Sequence, residues 1–285
     1  MVYAEGMVDR RRFGWRVASG VLLAACAYPA CAAEPVDVEL VLAVDVSLSM
    51  SPGELEIQRR GYAEALTHDT VLQAIADGSH GKIAITYVEW AGSTMQRVVV
   101  PWTVISSRAD AERVVDQISA RPPASARRTS ISAALDFSGD LFAESGFEGA
   151  RRVIDISGDG ANNQGGPVEE ARNRIAEQGI TINGLPLMTR GGFTSVFDTA
   201  ELDRYYANCV IGGPGAFMIP VNDWPQFPEA VRRKLVLELA GADMGSQAAG
   251  ASDLPVILAA AEPSVDCMVG EKMWRNRRWM YDDSR

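Results

Sequence analysis

Residues 38–49 read VELVLAVDVSLS, an apolar run broken only by Glu39 and followed by alternating polar side chains. Such a run predicts a strand that is buried on both faces, as in a parallel sheet covered by helices. Asp45, Ser47 and Ser49 come next, and alternate residues of an extended segment point to the same side. We therefore expect one carboxylate and two hydroxyls to lie together where this strand ends.

The chain beyond this motif alternates between helices and strands. Ser51, Pro52 and Glu54 form a typical helix start, with a capping serine, a proline in the first turn and a glutamate three residues on. Further strands are predicted at 82–90, 96–102, 151–157, 180–185 and 217–221, and further helices at 108–120, from 129, at 167–178 and at 224–239. This alternation predicts a Rossmann-like α/β fold: a doubly wound, mainly parallel sheet with helices on both faces.

The N-terminus has the pattern of a bacterial secretory signal. Four arginines within 10–16 precede an apolar run over 17–33 that ends in small residues, which predicts a signal peptide at 1–33. Two alternatives stay open: LAAC at 23–26 resembles a lipobox, which would attach a lipid to Cys26, and RRRF at 10–13 partly resembles a twin-arginine signal. We expect a periplasmic or secreted protein with no transmembrane span in the mature chain.

Behind this leader the regular pattern covers a single domain at 34–241. Residues 242–285 begin rich in Ala, Gly and Ser and end in a basic and aromatic stretch at 272–279. That stretch is consistent with contact to anionic lipid or to a partner, although a loosely packed tail is the simpler interpretation.

Composition and charge narrow the class of protein. The 285 residues are 47% hydrophobic, which is enough for a sizeable core, and carry a net charge of −10. An acidic chain lacks the basic face that nucleic-acid binding requires. Once the leader is removed, Cys209 and Cys267 are the cysteines left, and in an oxidising compartment they either pair or remain separate buried thiols; their spacing does not decide between the two.

Two later positions add oxygen atoms to the motif at Asp45, Ser47 and Ser49. Thr129 lies at the start of a predicted helix, and Asp159 lies in a Gly-Asp-Gly turn after a predicted strand. Carboxylates and hydroxyls are hard oxygen ligands, which suit Mg²⁺, Mn²⁺ or Ca²⁺ better than zinc or copper.

These motifs resemble the von Willebrand factor A (vWA) family and its metal-ion-dependent adhesion site (MIDAS), over roughly residues 36–240. The resemblance rests on DVSLS at 45–49, on RTSISAAL at 128–135 and on IDISGDG at 154–160. The family usually has Thr-Asp-Gly in the third motif and a glycine before the metal-binding threonine, whereas Gly158 and Arg128 stand there in this chain. With the run CVIGGPGAF at 209–217, the whole chain also looks like a family of exported bacterial vWA-like proteins without an assigned role.

The resemblance implies a metal site and a function. The metal ligands would be Asp45, Ser47, Ser49, Thr129 and Asp159, with Mg²⁺ as the expected cofactor and Mn²⁺ or Ca²⁺ as alternatives. A divalent cation with few bound anions stays electrophilic and favours a carboxylate from another molecule. The implied function is therefore non-enzymatic: binding of a protein partner that presents an acidic side chain.

Other functions remain as alternatives. Asp45 after an apolar strand is consistent with a metal-dependent phosphatase-like hydrolase, but the position two residues on holds Ser47, which cannot act as a general acid near neutral pH. A structural envelope protein would use the fold without metal, with Asp45 to Ser49 only ending a strand and capping a helix. The polar run 162–164 is consistent with a polar rim around the site, but we expect a solvated loop there.

Overall fold

A sheet of seven strands runs through the described part of the chain. The computed structural model describes residues 1, 33–189, 201–240, 254–260 and 265–282, so the predicted signal peptide, Cys26 and much of the predicted tail lie outside the described residues. The strands are β1 (Glu34–Asp45), β2 (Ile83–Trp90), β3 (Gln96–Ile105), β4 (Phe147–Gly158), β5 (Thr181–Pro186), β6 (Phe217–Met218) and β7 (Ile257–Leu258).

The strand order is β3-β2-β1-β4-β5-β6-β7. The pairs β2–β3 and β6–β7 are antiparallel, and all the others are parallel. The helices among the described residues are α1 (Pro52–Leu66), α2 (Asp69–Ala76), α3 (Arg108–Ser119), α4 (Ile131–Leu141), α5 (Val168–Glu177), α6 (Leu202–Tyr205), α7 (Phe227–Ala240) and α8 (Val269–Asp282). A π-helical turn, Tyr206–Val210, continues α6.

Alternate side chains of β1 enter two separate cores. Leu40 and Leu42 pack with residues of α1, α2, α3 and α7 on one face of the sheet. Val41 and Ala43 pack with residues of α4, α5 and the π-helical turn on the other. Period-two burial on both faces is why the β1 sequence is almost uninterrupted in apolar residues. The predicted doubly wound, mainly parallel α/β fold is confirmed.

The local signals at the element ends also agree with the structure. Ser51 caps α1 in a complete capping box with Glu54, and α4 begins at Ile131 behind the cap of Ser130. The strand predicted at 217–221 is shorter, because only Phe217–Met218 pair as β6. Pro220 has no N–H to continue the ladder, and Val221 forms an isolated bridge with Leu187 instead.

The order of the strands determines where a site can form. β1 pairs in parallel with both β2 and β4, so successive connections leave β1 in opposite directions. Clefts in doubly wound sheets open at such a switch point, beyond the carboxyl ends of the strands. Val44 of β1 aligns with Ser157 of β4, so Asp45 and the turn after Gly158 share this edge. Within the described ranges, no helix has the length and apolarity to cross a membrane.

Candidate metal site

Three segments meet at the carboxyl edge of the sheet: the one after β1, the one before α4 and the one after β4. Ser47 forms a parallel bridge with Ala126, and the Leu48 N–H donates to the Ala126 carbonyl at 2.9 Å. This pairing holds the segment that leads to Thr129 beside the first motif. The predicted site residues are thus brought to one place by backbone contacts, as their positions at element ends require.

A continuous chain of hydrogen bonds links four of the five predicted residues. The Ser47 N–H donates to Asp45 Oδ1 at 2.7 Å, and the Ser47 and Ser49 hydroxyl oxygens lie 2.8 Å apart. The Ser49 hydroxyl then donates to Asp159 Oδ1 at 2.7 Å, across 110 residues of sequence. One carboxylate from β1, two hydroxyls and one carboxylate from the turn after β4 therefore form a compact group.

Thr129, the fifth residue, faces the same group. Its N–H donates to Asn163 Oδ1 at 3.0 Å, and its carbonyl accepts from the Asn163 N–H at 2.9 Å. These two bonds join the start of α4 to the turn after β4. Ser47, Ser49, Thr129 and Asp159 all line one pocket of about 340 Å³, with Asp45 buried beneath it.

The electrostatics of the group favour a bound cation. Asp45 is fully buried, and its Oδ2 has no hydrogen-bond partner among the described residues. Burial raises the pKa of Asp45 well above its ordinary value, the charge of Asp159 raises it further, and the hydrogen bonds from Ser47 lower it. An unpartnered buried carboxylate oxygen beside a second carboxylate is unfavourable unless a positive charge compensates it.

The donor set is also chemically suited to a hard cation. Two carboxylates and three hydroxyls supply oxygen alone, which fits Mg²⁺, Mn²⁺ or Ca²⁺. Throughout the described residues there is no group of three or more His, Cys, Asp or Glu side chains placed to hold a metal ion. A metal at this edge would therefore depend on the serine and threonine hydroxyls.

Tyr206 explains why glycine replaces the usual threonine at position 158. A Cβ on Gly158 would lie 2.8 Å from the Tyr206 hydroxyl oxygen and 3.0 Å from Asp45 Oδ2. Tyr206 comes from the π-helical turn and is fully buried. The space of a family threonine is thus filled by a tyrosine hydroxyl from a distant segment, which sequence reasoning did not foresee because no local pattern marks Tyr206.

Arg128, the second departure from the family pattern, adopts the backbone conformation that glycine favours. Its φ is +80°, the only positive φ at a non-glycine residue in the described chain. The Arg128 guanidinium lies 3.2 Å from the centre of the Trp274 ring, a cation–π contact. Trp274 belongs to α8 and lines the same pocket as the predicted metal ligands.

The expectation of a loosely packed tail at 242–285 is corrected for the part from 265 to 276. Cys267, which precedes α8, is bonded to Cys209 of the π-helical turn. Gly270 packs so closely on the turn after β4 that a Cβ at this position would clash with the Asn162 carbonyl oxygen. The disulfide and the glycine contact hold α8 against the rest of the fold. The sequence of the tail alone shows neither the surface on which α8 packs nor the pairing of Cys267 with Cys209.

The predicted solvated loop at 162–164 is wrong for Asn162. This residue is fully buried, its Oδ1 accepts from the Ser132 N–H at 3.1 Å, and its Nδ2 donates to Glu271 Oε1 at 2.6 Å. Asn162 therefore connects α4 to α8. Its polarity reflects buried hydrogen bonding rather than exposure to water, a distinction that needs the tertiary structure.

A family model described as "Protein of unknown function (DUF1194)" matches residues 35–243. The chain belongs to this family. The matched span of this DUF1194 chain includes all five predicted metal ligands and ends before α8. A search of the curated proteins finds no match to it.

The DUF1194 chain is similar in structure to larger proteins. It matches proximal thread matrix protein 1 from the mussel byssus, in a structure titled as having a zinc-occupied MIDAS motif, with a TM-score of 0.51 and 16% identity over 73% of this chain and 48% of that chain. It matches the pilus adhesin SpaC from Lactobacillus rhamnosus GG with a TM-score of 0.51 and 12% identity, over 72% of this chain and 31% of that chain. The chain thus spans about half of the first protein and a third of the second.

A von Willebrand factor type A protein from Catenulispora acidiphila is also matched, with a TM-score of 0.45 and 17% identity over 72% of this chain and 43% of that chain. At these identities the likenesses concern the fold alone. The DUF1194 chain shares the fold of the mussel protein, whose structure has a MIDAS motif, as its own motifs predicted.

Proposed function

We propose that this chain is an exported vWA-like domain that binds a protein partner through a divalent metal, Mg²⁺ in the first instance. Asp45, Ser47, Ser49, Thr129 and Asp159 would hold the metal. The observation that carries the proposal is the hydrogen-bonded group at the switch point, where a buried carboxylate oxygen of Asp45 has no hydrogen-bond partner within the part of the chain that the structure describes. The MIDAS motif of the mussel protein, on the same fold, is additional support.

The residues of this group have distinct tasks. Asp45 is fixed by burial and by the Ser47 N–H, so its carboxylate is preorganised for a cation. The three hydroxyls give neutral oxygens and add no negative charge. When bound, a divalent cation with so few anionic ligands keeps an affinity for one more carboxylate, which a partner would supply.

The pocket and its surroundings support recognition of an acidic partner. Arg127 and Arg128 line the pocket, whereas the chain as a whole has a net charge of −10. A negative overall field repels an acidic partner at long range, so binding should depend on the metal and the local cations. We further propose removal of residues 1–33 on export, with the domain at 34–241 working in the periplasm or outside the cell.

The first experiment tests the metal. The purified protein, its Ser47→Ala/Ser49→Ala variant and a control with two exposed serines changed, Ser79→Ala/Ser119→Ala, are melted with Mg²⁺ and with EDTA. Binding at a hundredfold excess over Kd should stabilise by about 2.7 kcal/mol. For a domain of this size that raises Tm by roughly 5–11 °C. We expect the rise in wild type and control only.

Equal melting of the wild type with Mg²⁺ and with EDTA would contradict the metal site. If the site holds, the protein is used as bait for envelope extract in Mg²⁺ or EDTA, with the Ser47→Ala/Ser49→Ala variant as the negative bait. A partner that is retained equally in all three conditions would contradict metal-bridged binding and leave a structural role for the fold.

A further inference from the structure

The metal pocket has two chemically different parts. One part is polar and consists of the metal-site residues Ser47, Ser49, Thr129 and Asp159. The other part is apolar and basic, with contributions from Leu48, Arg127, Arg128 and Trp274. A carboxylate needs only the metal-site residues, so the other part offers a second contact for whatever is joined to that carboxylate.

Leu48 is an unusual residue for this place. It lies between the two serines of the metal motif and is 53% exposed, whereas most large apolar side chains of the described residues are buried. Covering such a side chain with apolar atoms is favourable because that surface leaves water. Because Leu48 lines the same pocket as Ser47 and Ser49, a ligand bound at the metal-site residues can contact it.

Trp274 is the second large apolar side chain of the pocket lining, and several contacts hold it in place. Arg128 lies on its ring, and Glu271, one turn earlier in α8, accepts a hydrogen bond from Asn162 at 2.6 Å. The Cys209–Cys267 bond anchors the start of the helix. Because these contacts already hold the Trp274 side chain, it loses little conformational entropy when a ligand binds. Little of the free energy of its contacts with the ligand is therefore offset by ordering.

The size of the pocket limits how much of a ligand it can hold. Its volume is about 340 Å³, near the lower end for small-ligand sites. A pocket of this size has room for a few side chains of a ligand.

We infer that the ligand of this site is a polypeptide segment with an acidic residue next to an apolar one, and that Trp274 of α8 determines this specificity. The acidic side chain would supply a carboxylate to the bound metal, and its apolar neighbour would contact Leu48 and Trp274, which line the same pocket. The inference rests on the proposed function, and it adds the sequence chemistry of the partner and the part of the chain that reads it.

The test uses short peptides on the full-length protein with saturating Mg²⁺. The probes are acetyl-Gly-Glu-Phe-Gly-amide, a version with Gly in place of Phe and a version with Gln in place of Glu, with binding followed by NMR titration. The variants are Trp274→Ala, Cys209→Ser/Cys267→Ser and, as a control on the same helix away from the pocket, Lys272→Ala.

In the wild type we expect the Glu-Phe peptide to bind about tenfold more tightly than the Glu-Gly peptide, and the Gln peptide to show no Mg²⁺-dependent binding. Trp274→Ala should reduce the preference for Phe to about threefold or less and leave the Glu-Gly affinity within about twofold. The double cysteine variant should lose the preference as well, because α8 is no longer anchored, and Lys272→Ala should retain it.

Two results would overturn the inference while the metal site stands. One is equal affinity of the wild type for the Phe and Gly peptides, and the other is tighter binding of both peptides to Trp274→Ala, which would make α8 a cover over the site. Mg²⁺-dependent melting is measured on each variant first. If Mg²⁺ does not raise the Tm of the wild type, the proposed function itself is refuted. If Mg²⁺ does raise it, a failed peptide-binding prediction contradicts only the inferred ligand specificity.

Discussion

Gly158→Ala tests whether the Tyr206 hydroxyl shapes the metal site. The added Cβ would stand 2.8 Å from that hydroxyl oxygen and 3.0 Å from Asp45 Oδ2, closer than ordinary van der Waals contact. Both neighbours are fully buried, so neither can move aside freely. Overpacking of this kind costs about 1–3 kcal/mol, which corresponds to a Tm lower by roughly 2–12 °C for a domain of this size.

The double variant Gly158→Ala/Tyr206→Phe separates the two contacts. Removing the hydroxyl oxygen relieves the shorter contact, so we expect it to restore much of the lost Tm, with a coupling energy of about 0.5–3 kcal/mol in the double-mutant cycle. The contact with Asp45 Oδ2 persists in both alanine variants. We therefore expect weaker Mg²⁺ stabilisation in both of them.

The control is Gly166→Ala, because among the described residues no heavy atom lies within 4 Å of the Cβ that it adds. Thermal melting with and without Mg²⁺ is the assay for all four variants. The reasoning is refuted if Gly158→Ala melts like Gly166→Ala, or if Tyr206→Phe gives no rescue. Either result would mean that the glycine at 158 is not required by the tyrosine.

The remaining predictions concern the buried charges under α7. Lys234 is fully buried and pairs with Asp155 at 2.8 Å and with Glu238. Lys234→Met should lower the free energy of unfolding, measured in urea, by about 3–5 kcal/mol. The control Lys272→Met removes a half-exposed ion pair and should lower it by less than about 1 kcal/mol, so equal losses of stability in the two variants would contradict this prediction. Burial raises the pKa of Glu238 from 4.5 to about 7. The folded protein then binds this proton more tightly than the unfolded chain, so the stabilisation is complete below about pH 4.5 and is lost as the pH rises through 7. Unfolding free energies of wild type and Glu238→Gln at several pH values should show the wild type losing stability relative to the variant over that range, and a constant difference would argue against the raised pKa.

Local patterns were sufficient to predict the central fold. The apolar run at 38–44 indicated a strand buried on both faces, and Leu40 and Val41 do enter different cores. The capping residues Ser51 and Ser130 fixed two helix starts, because their side chains bond to backbone a few residues away. Contacts this short in sequence leave a readable pattern in the chain.

The surroundings of the site depend on contacts that span long stretches of sequence. Tyr206 fills the space beside Gly158 from another part of the fold, and α8 reaches Arg128 only after the sheet is complete. Asn162 is buried because Ser132 and Glu271 both bond to it. In the sequence, a polar residue that is buried with hydrogen-bond partners cannot be distinguished from one that is exposed to water. These positions therefore could not be predicted from the sequence pattern alone.

Because of the bond between Cys209 and Cys267, completion of the fold depends on the redox state of the compartment and on the order in which the chain is synthesised. Cys267 and α8 follow every metal-site residue along the chain, so they emerge after all of them during synthesis. In a reducing compartment the two thiols stay unbonded, so α8 with Trp274 is not covalently tethered beside the metal-site residues. The site would reach its finished form only on oxidation. Preparations from a reducing cytoplasm should therefore be compared with oxidised ones before any partner search.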